Sequence, residues 1–159
     1  MAMKKEWPWG SIHSSGGWEA QLARCHRWKI RLMNTKEPVD VLDYLFTLFQ
    51  NCHHIKDWLL KNQFSKNDVK AFIESHEELR VCRDVCNMTK HFSLDHRGAQ
   101  EYEPSILREY EPIKHLATFE SDSRLIIVTA GKNLDARLTA YRCVDLWQDF
   151  LSSNLSINK

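Results

Sequence analysis

Apolar positions along most of the chain recur at steps of three and four residues, the period of an α-helix with one buried face. The pattern is strongest between Pro38 and Lys61. Val41, Leu45, Leu48, Cys52, Ile55 and Leu59 form one stripe there, and Leu42, Phe46 and Phe49 widen it. A stripe that wide predicts a helix largely buried in a bundle. Upstream, a helix is predicted over about Gly17 to Met33, with Trp18, Leu22, Cys25 and Leu32 on its apolar side. Thr35-Lys36-Glu37-Pro38 separates the two, and proline suits the first turn of the second.

After Lys61, Ser65-Lys66-Asn67-Asp68 reads as a cap opening a short helical connector to about Glu74. Ser75-His76-Glu77-Glu78 repeats that pattern and predicts a helix ending near His91 or Phe92, with Leu79, Cys82, Val85, Cys86 and Thr89 as its packing side. Residues 95–112 are polar and interrupted by Pro104 and Pro112. A two-stranded hairpin is then expected from Ile113–Glu120 and Arg124–Ala130, turning at Ser121-Asp122-Ser123 and ending at Gly131. The last helix, about Leu134 to Ser152, presents Ala140, Val144, Trp147 and Leu151, flanked by Leu138 and Phe150. The expected fold is therefore mainly α: a bundle of four main helices plus a short helical connector, with a β-hairpin inserted before the last helix. One domain over 1–159 is expected, with 1–16 as an irregular lead-in and 95–131 as the loop and hairpin insertion.

Composition adds limits. Apolar residues make up 43% and charged residues 27%, ordinary values for a globular chain. Basic and acidic side chains number 22 and 21, so any nucleic-acid contact must come from a local basic face. Arg24, Arg27 and Arg31 with Trp28 supply one candidate, at helical spacing on the first helix. Arginine interleaved with an aromatic can hold phosphates and stack on bases, although such rows also serve as plain solvated faces. The six tryptophans are expected mostly as core or interface anchors. The five cysteines, odd in number and spread over the helices, fit small buried apolar residues in a reducing compartment. With no apolar leader in MAMKKEWPWGS and no apolar run of about 20 residues, the expectation is a soluble cytoplasmic protein.

Several chemistries lack their patterns. Cys82 and Cys86 are not a C-x-x-C knuckle and have no second pair, and no histidine follows Glu at three residues, so neither a zinc nor a di-iron site is expected. Ala130-Gly131-Lys132-Asn133 lacks the first glycine and the Ser/Thr of a phosphate-binding loop, and no G-x-S-x-G is present. No metal or cofactor is predicted.

The polar chemistry gathers instead on the helix after Ser75, where Arg83, Asn87 and His91 share a face beside Asp84. Asn87-Met88-Thr89-Lys90-His91 resembles the core of the HEPN superfamily motif: Arg, then Asn, Asp or His, then three variable residues and His. That resemblance implies a helical bundle and a dimer at whose interface His and Arg act in RNA cleavage. Cys86 stands at the motif's arginine position, and Arg83, one turn earlier, is the candidate substitute. His54-x-x-Asp57-Trp58 and Asp84-x-x-Asn87-x-x-Lys90-His91 also resemble strings in a group of uncharacterised bacterial helical proteins. The expected function is RNA engagement, with endoribonuclease action of a defence or toxin type as its enzymatic extension. His91 would be acid or base, Asn87 its orienting partner and Arg83 the phosphate contact, supported by Asp84, His54, Asp57 and Lys90. The alternative is a non-catalytic interaction or scaffold protein in which Asp84, Asn87, His91 and His54 form a structural hydrogen-bond network.

Overall fold

The computed structural model describes residues 17–91, 105–110 and 123–157. Its elements are α1 (Gly17–Asn34), α2 (Pro38–Lys61), α3 (Lys66–Ser75), α4 (Glu77–His91), β1 (Ser105–Tyr110), β2 (Ser123–Thr129), β3 (Lys132–Asp135) and α5 (Ala136–Ile157). Four main helices, the short connector α3 and an antiparallel hairpin before the last helix make up the architecture that the periodicity predicts. The lead-in 1–16 and the expected strand Ile113–Glu120 lie outside the described residues.

Helix α2 is the hub and touches every other described helix. Its stripe of Val41, Leu45, Leu48, Cys52, Ile55 and Leu59 is buried throughout, together with Phe49, while Leu42 and Phe46 are half-buried. Pro38 opens the helix where its missing N–H costs nothing. At the other end the Asn62 N–H donates to the Leu59 and Trp58 carbonyls, and Gln63 at φ 65° turns the chain away. Ser65 caps α3 by accepting from the Asp68 N–H at 3.3 Å.

The second expected cap falls elsewhere. Ser75 is the last residue of α3, and its hydroxyl donates to the Phe72 carbonyl at 2.8 Å. The break between α3 and α4 is at His76, in extended backbone, whose carbonyl accepts from the Arg80 N–H. The His76 ring lies 4.5 Å from that of Phe72 and its Nδ1 bonds the Phe72 carbonyl, a contact that competes with continuation of the helix.

The hairpin has a different first strand from the expected one. Ser105–Tyr110, within the polar stretch, pairs antiparallel with β2 from Ser105 opposite Val128 to Tyr110 opposite Ser123. A third strand follows, because Ala130 (φ 49°) and Gly131 (φ 71°) make a two-residue turn that returns Lys132 opposite Thr129. Positive φ at both central residues is the hairpin turn whose twist matches the strands, and glycine occupies its second position without strain. Asp135 closes β3 and caps α5, its carboxylate accepting from the Leu138 N–H at 2.9 Å. Helix α5 therefore starts at Ala136 rather than Leu134.

Leu125 and Ile127 of β2 join the helical core. On α5, Ala140, Val144, Trp147 and Leu151 are buried as the spacing predicts, but Leu138 is 63% exposed. On α4, Leu79, Cys82, Val85 and Cys86 are buried, whereas Thr89 is exposed and bonds the Cys86 carbonyl. Of the described tryptophans only Trp147 is fully buried; Trp18 and Trp28 are half-buried and packed against the core, and Trp58 is half-buried.

Candidate functional site

Helix α4 sets Arg83, Asp84 and Asn87 half-buried on one flank. The Arg83 guanidinium is clamped between two carboxylates: Nη1 lies 2.6 Å from Glu74 Oε1 at the end of α3, and Nε 2.9 Å from Asp84 Oδ1. Burial opposes the Arg83 charge, but the hydrogen bonds and charges of Asp84 and Glu74 outweigh it and hold its pKa above the ordinary value. The clamp ties α3 to α4 across the His76 break. His91 is the last residue of α4, and the side chains of Lys90 and His91 lie outside the described residues. Cys86, at the arginine position of the resemblance, is buried.

Across from this flank the structure brings in His53 of α2. Cys82 of α4 donates to the Phe49 carbonyl at 3.2 Å, which docks the two helices one turn before His53. His53 is half-buried and its pKa is pushed down to about 3, first by burial and then by the charges of Lys56, His54 and Arg83. It is therefore neutral at physiological pH. His54 and Asp57, expected as members of a polar network, are both exposed; the half-buried histidine is His53, the neighbour that continues the apolar row. That row position, four residues after Phe49, was the available signal.

The depressed His53 pKa gives a pH dependence with a definite sign. Between its ordinary value of 6.5 and about 3, the unfolded imidazole binds a proton that the folded one refuses. Its contribution to stability is complete above that window and is lost as the pH falls through it. The expected slope is on the order of 1 kcal/mol per pH unit, below the single-proton limit because the ring is partly solvated. Urea denaturation of wild type and His53→Gln at pH 7 and pH 5 checks this. The variant should lose less stability on acidification, and equal losses would contradict the assignment.

The third group of expected residues lies on α1. Arg24, Arg27 and Arg31 are all exposed on one face. Arg24 donates to Gln21 Oε1 at 2.6 Å, and buried Gln21 in turn donates to the Asn51 carbonyl of α2 at 2.8 Å. The Arg31 guanidinium stacks 4.5 Å above Trp28, whose indole packs 5.4 Å from Tyr44. The flank of α1 turned to α5 is held by the Lys29–Asp145 ion pair at 2.7 Å and by a His26–Gln148 bond. The result is a helix tied to both α2 and α5 that carries three exposed guanidinium groups, one of them stacked on Trp28.

A groove of about 680 Å³ between α1, the start of α4, β3 and α5 was not foreseen from the sequence. Met33, Leu134, Leu138 and Tyr141 form its walls with Lys29 and Glu78 among its polar groups. Three separate stretches of the chain build it, α1, the start of α4 and the run from β3 into α5, so no local spacing announces it. Among the described residues, no group of three or more His, Cys, Asp or Glu has the geometry to hold a metal ion, and no helix is long and apolar enough to cross a membrane. Comparison of the chain with family models, with curated proteins and with solved structures returned no match.

Proposed function

We propose that this chain is a HEPN-like helical protein that engages single-stranded RNA through α1, acting as a cytoplasmic homodimer. The observation that carries the reading is the exposed row Arg24, Arg27 and Arg31 with Arg31 stacked on Trp28. Successive guanidinium groups match a phosphate backbone, and a base that displaces Arg31 from Trp28 would gain a stacking surface that tolerates any sequence. Arg83 is a poorer phosphate ligand, because Glu74 and Asp84 already neutralise it and RNA would have to displace one of them.

Endoribonucleolytic cleavage is the enzymatic extension of this proposal. It rests on the Asn87-x-x-x-His91 spacing at the end of α4. In it His91 moves the proton of an attacking 2′-hydroxyl, Asn87 orients the imidazole and an arginine steadies the phosphate charge. The test is incubation of mixed single-stranded RNA with wild type and His91→Ala, reading binding and cleavage separately. Wild type should bind and cut, and His91→Ala should bind equally without cutting. Absent or equal cleavage rejects the enzyme and leaves an RNA-binding protein. Absent RNA binding by wild type rejects the proposal and favours the non-catalytic interaction or scaffold protein.

A further inference from the structure

The groove between α1, the start of α4, β3 and α5 uses the flank of α1 turned to α5, and none of Arg24, Arg27 and Arg31 lines it. Its volume of about 680 Å³ lies within the range of small-molecule sites. Met33 and Leu138, two of the five large apolar side chains that stand exposed among the described residues, line it from α1 and α5. Leu134 and half-buried Tyr141 complete the apolar wall, with Lys29 Nζ 5.8 Å from the centre of the Tyr141 ring. Exposed apolar side chains scattered singly are ordinary, but two on one concave surface beside an aromatic ring mark a place where something apolar is held. Contacts between the walls keep the groove in shape. Lys29 and Asp145 join α1 to α5 at 2.7 Å, and Lys132 and Glu77 join β3 to α4 at 2.7 Å. The Cys143 thiol of α5 donates to the Glu78 carbonyl of α4 at 3.3 Å.

Six charged side chains line the groove, and four of them are already engaged. Lys29 and Asp145 hold each other, Glu77 holds Lys132, and Asp135 Oδ1 accepts from the Leu138 N–H at 2.9 Å. Glu78 and Arg142 are the other two, and neither side chain has a polar partner among the described residues. Glu78 is half-buried and Arg142 is exposed. Arg142 directly precedes Cys143, whose thiol meets the Glu78 carbonyl, so the two charges belong to neighbouring parts of one helix contact. No ion pair joins them. A carboxylate and a guanidinium that stand unpaired at one apolar groove match a guest with an ammonium, a carboxylate and an apolar body.

We propose that this groove binds a free α-amino acid with a large apolar side chain. Its ammonium donates to the Glu78 carboxylate, its carboxylate accepts from the Arg142 guanidinium, and its side chain lies against Met33, Leu134, Leu138 and Tyr141. A simple amine would leave Arg142 unmatched, and a simple carboxylate would bring like charge to Glu78. Glu78 is the less solvated of the two, so the ammonium contact contributes more to affinity than the carboxylate contact. Binding here is independent of RNA engagement, because no member of the arginine row takes part.

The test is calorimetric titration of the full chain with L-phenylalanine, with N-acetyl-L-phenylalanine, which lacks the ammonium, and with L-phenylalaninamide, which lacks the carboxylate. L-Phenylalanine should bind at one site, the N-acetyl compound about tenfold more weakly and the amide about threefold more weakly. In Glu78→Gln the first difference should vanish and in Arg142→Gln the second, a pairwise effect that a merely structural role of either residue would not produce. Methyl carbon-13 spectra should show Met33 and Leu138 shifting as L-phenylalanine is added. No saturable binding of L-phenylalanine below about 10 mM would overturn the proposal. So would equal affinity for the three compounds, full preference for L-phenylalanine over its N-acetyl form in Glu78→Gln, or methyl shifts confined to other parts of the bundle.

Discussion

Trp147→Ala is expected to lower the free energy of unfolding by about 3–5 kcal/mol, the cost of emptying the largest buried side-chain volume in the bundle. The indole is 1% exposed and packs 5.3 Å from Phe72 and 5.9 Å from Phe150, edge to face with the latter. Phe72 sits on the connector α3, so the same contact holds the connector against α5. Trp147→Phe should cost less than half as much. Most of the ring area survives, and the buried indole N–H has no hydrogen-bond partner among the described residues, so its removal leaves no acceptor stranded. Urea denaturation reads both effects as shifts of midpoint at constant slope. A loss below about 1 kcal/mol for Trp147→Ala would mean that the site is not core.

Combining Arg24→Ala, Arg27→Ala and Arg31→Ala is expected to weaken single-stranded RNA binding on the order of 100-fold at low salt, through the loss of three phosphate contacts. The fold should tolerate the change. All three side chains are exposed, and Gln21 keeps its bonds to Asn51 after Arg24 is truncated. The triple variant should therefore melt within a few degrees of wild type, which separates lost contacts from lost structure. Trp28→Ala is a poorer probe, because it also removes the packing against Tyr44.

Local periodicity made the helices legible. Residues such as Leu45, Ile55, Val144 and Leu151 lie on stripes that only a helix can bury together, and the structure buries them. Features set by tertiary contacts were less legible. Ser75 has the sequence of a cap, but Phe72 drew its hydroxyl and the His76 ring, moving the break by one residue. β1 arises in a polar stretch because its partner Leu125–Val128 is a strong strand, and pairing overrides weak propensity. Leu138 and Thr89 sit at the margins of their stripes, where a small rotation of the helix decides exposure.

The candidate site divides in the same way. The α1 arginine row follows from helical spacing and is found as expected, exposed on one face. The Arg83–Glu74 contact crosses a helix break, and His53 rather than His54 is the half-buried histidine that feels the charge of Arg83 on α4. Such meetings depend on how helices dock, which no single-helix pattern encodes.

The most direct test of the proposed function is the salt dependence of single-stranded RNA affinity, measured for wild type and the triple arginine variant. Each neutralised phosphate contributes a slope of about −0.7 in the logarithm of the binding constant against the logarithm of salt concentration. The three arginines therefore predict a wild-type slope of about −2 or steeper, and a variant slope shallower by about 2. A flat wild-type dependence, or the same slope in both proteins, would contradict RNA engagement through α1.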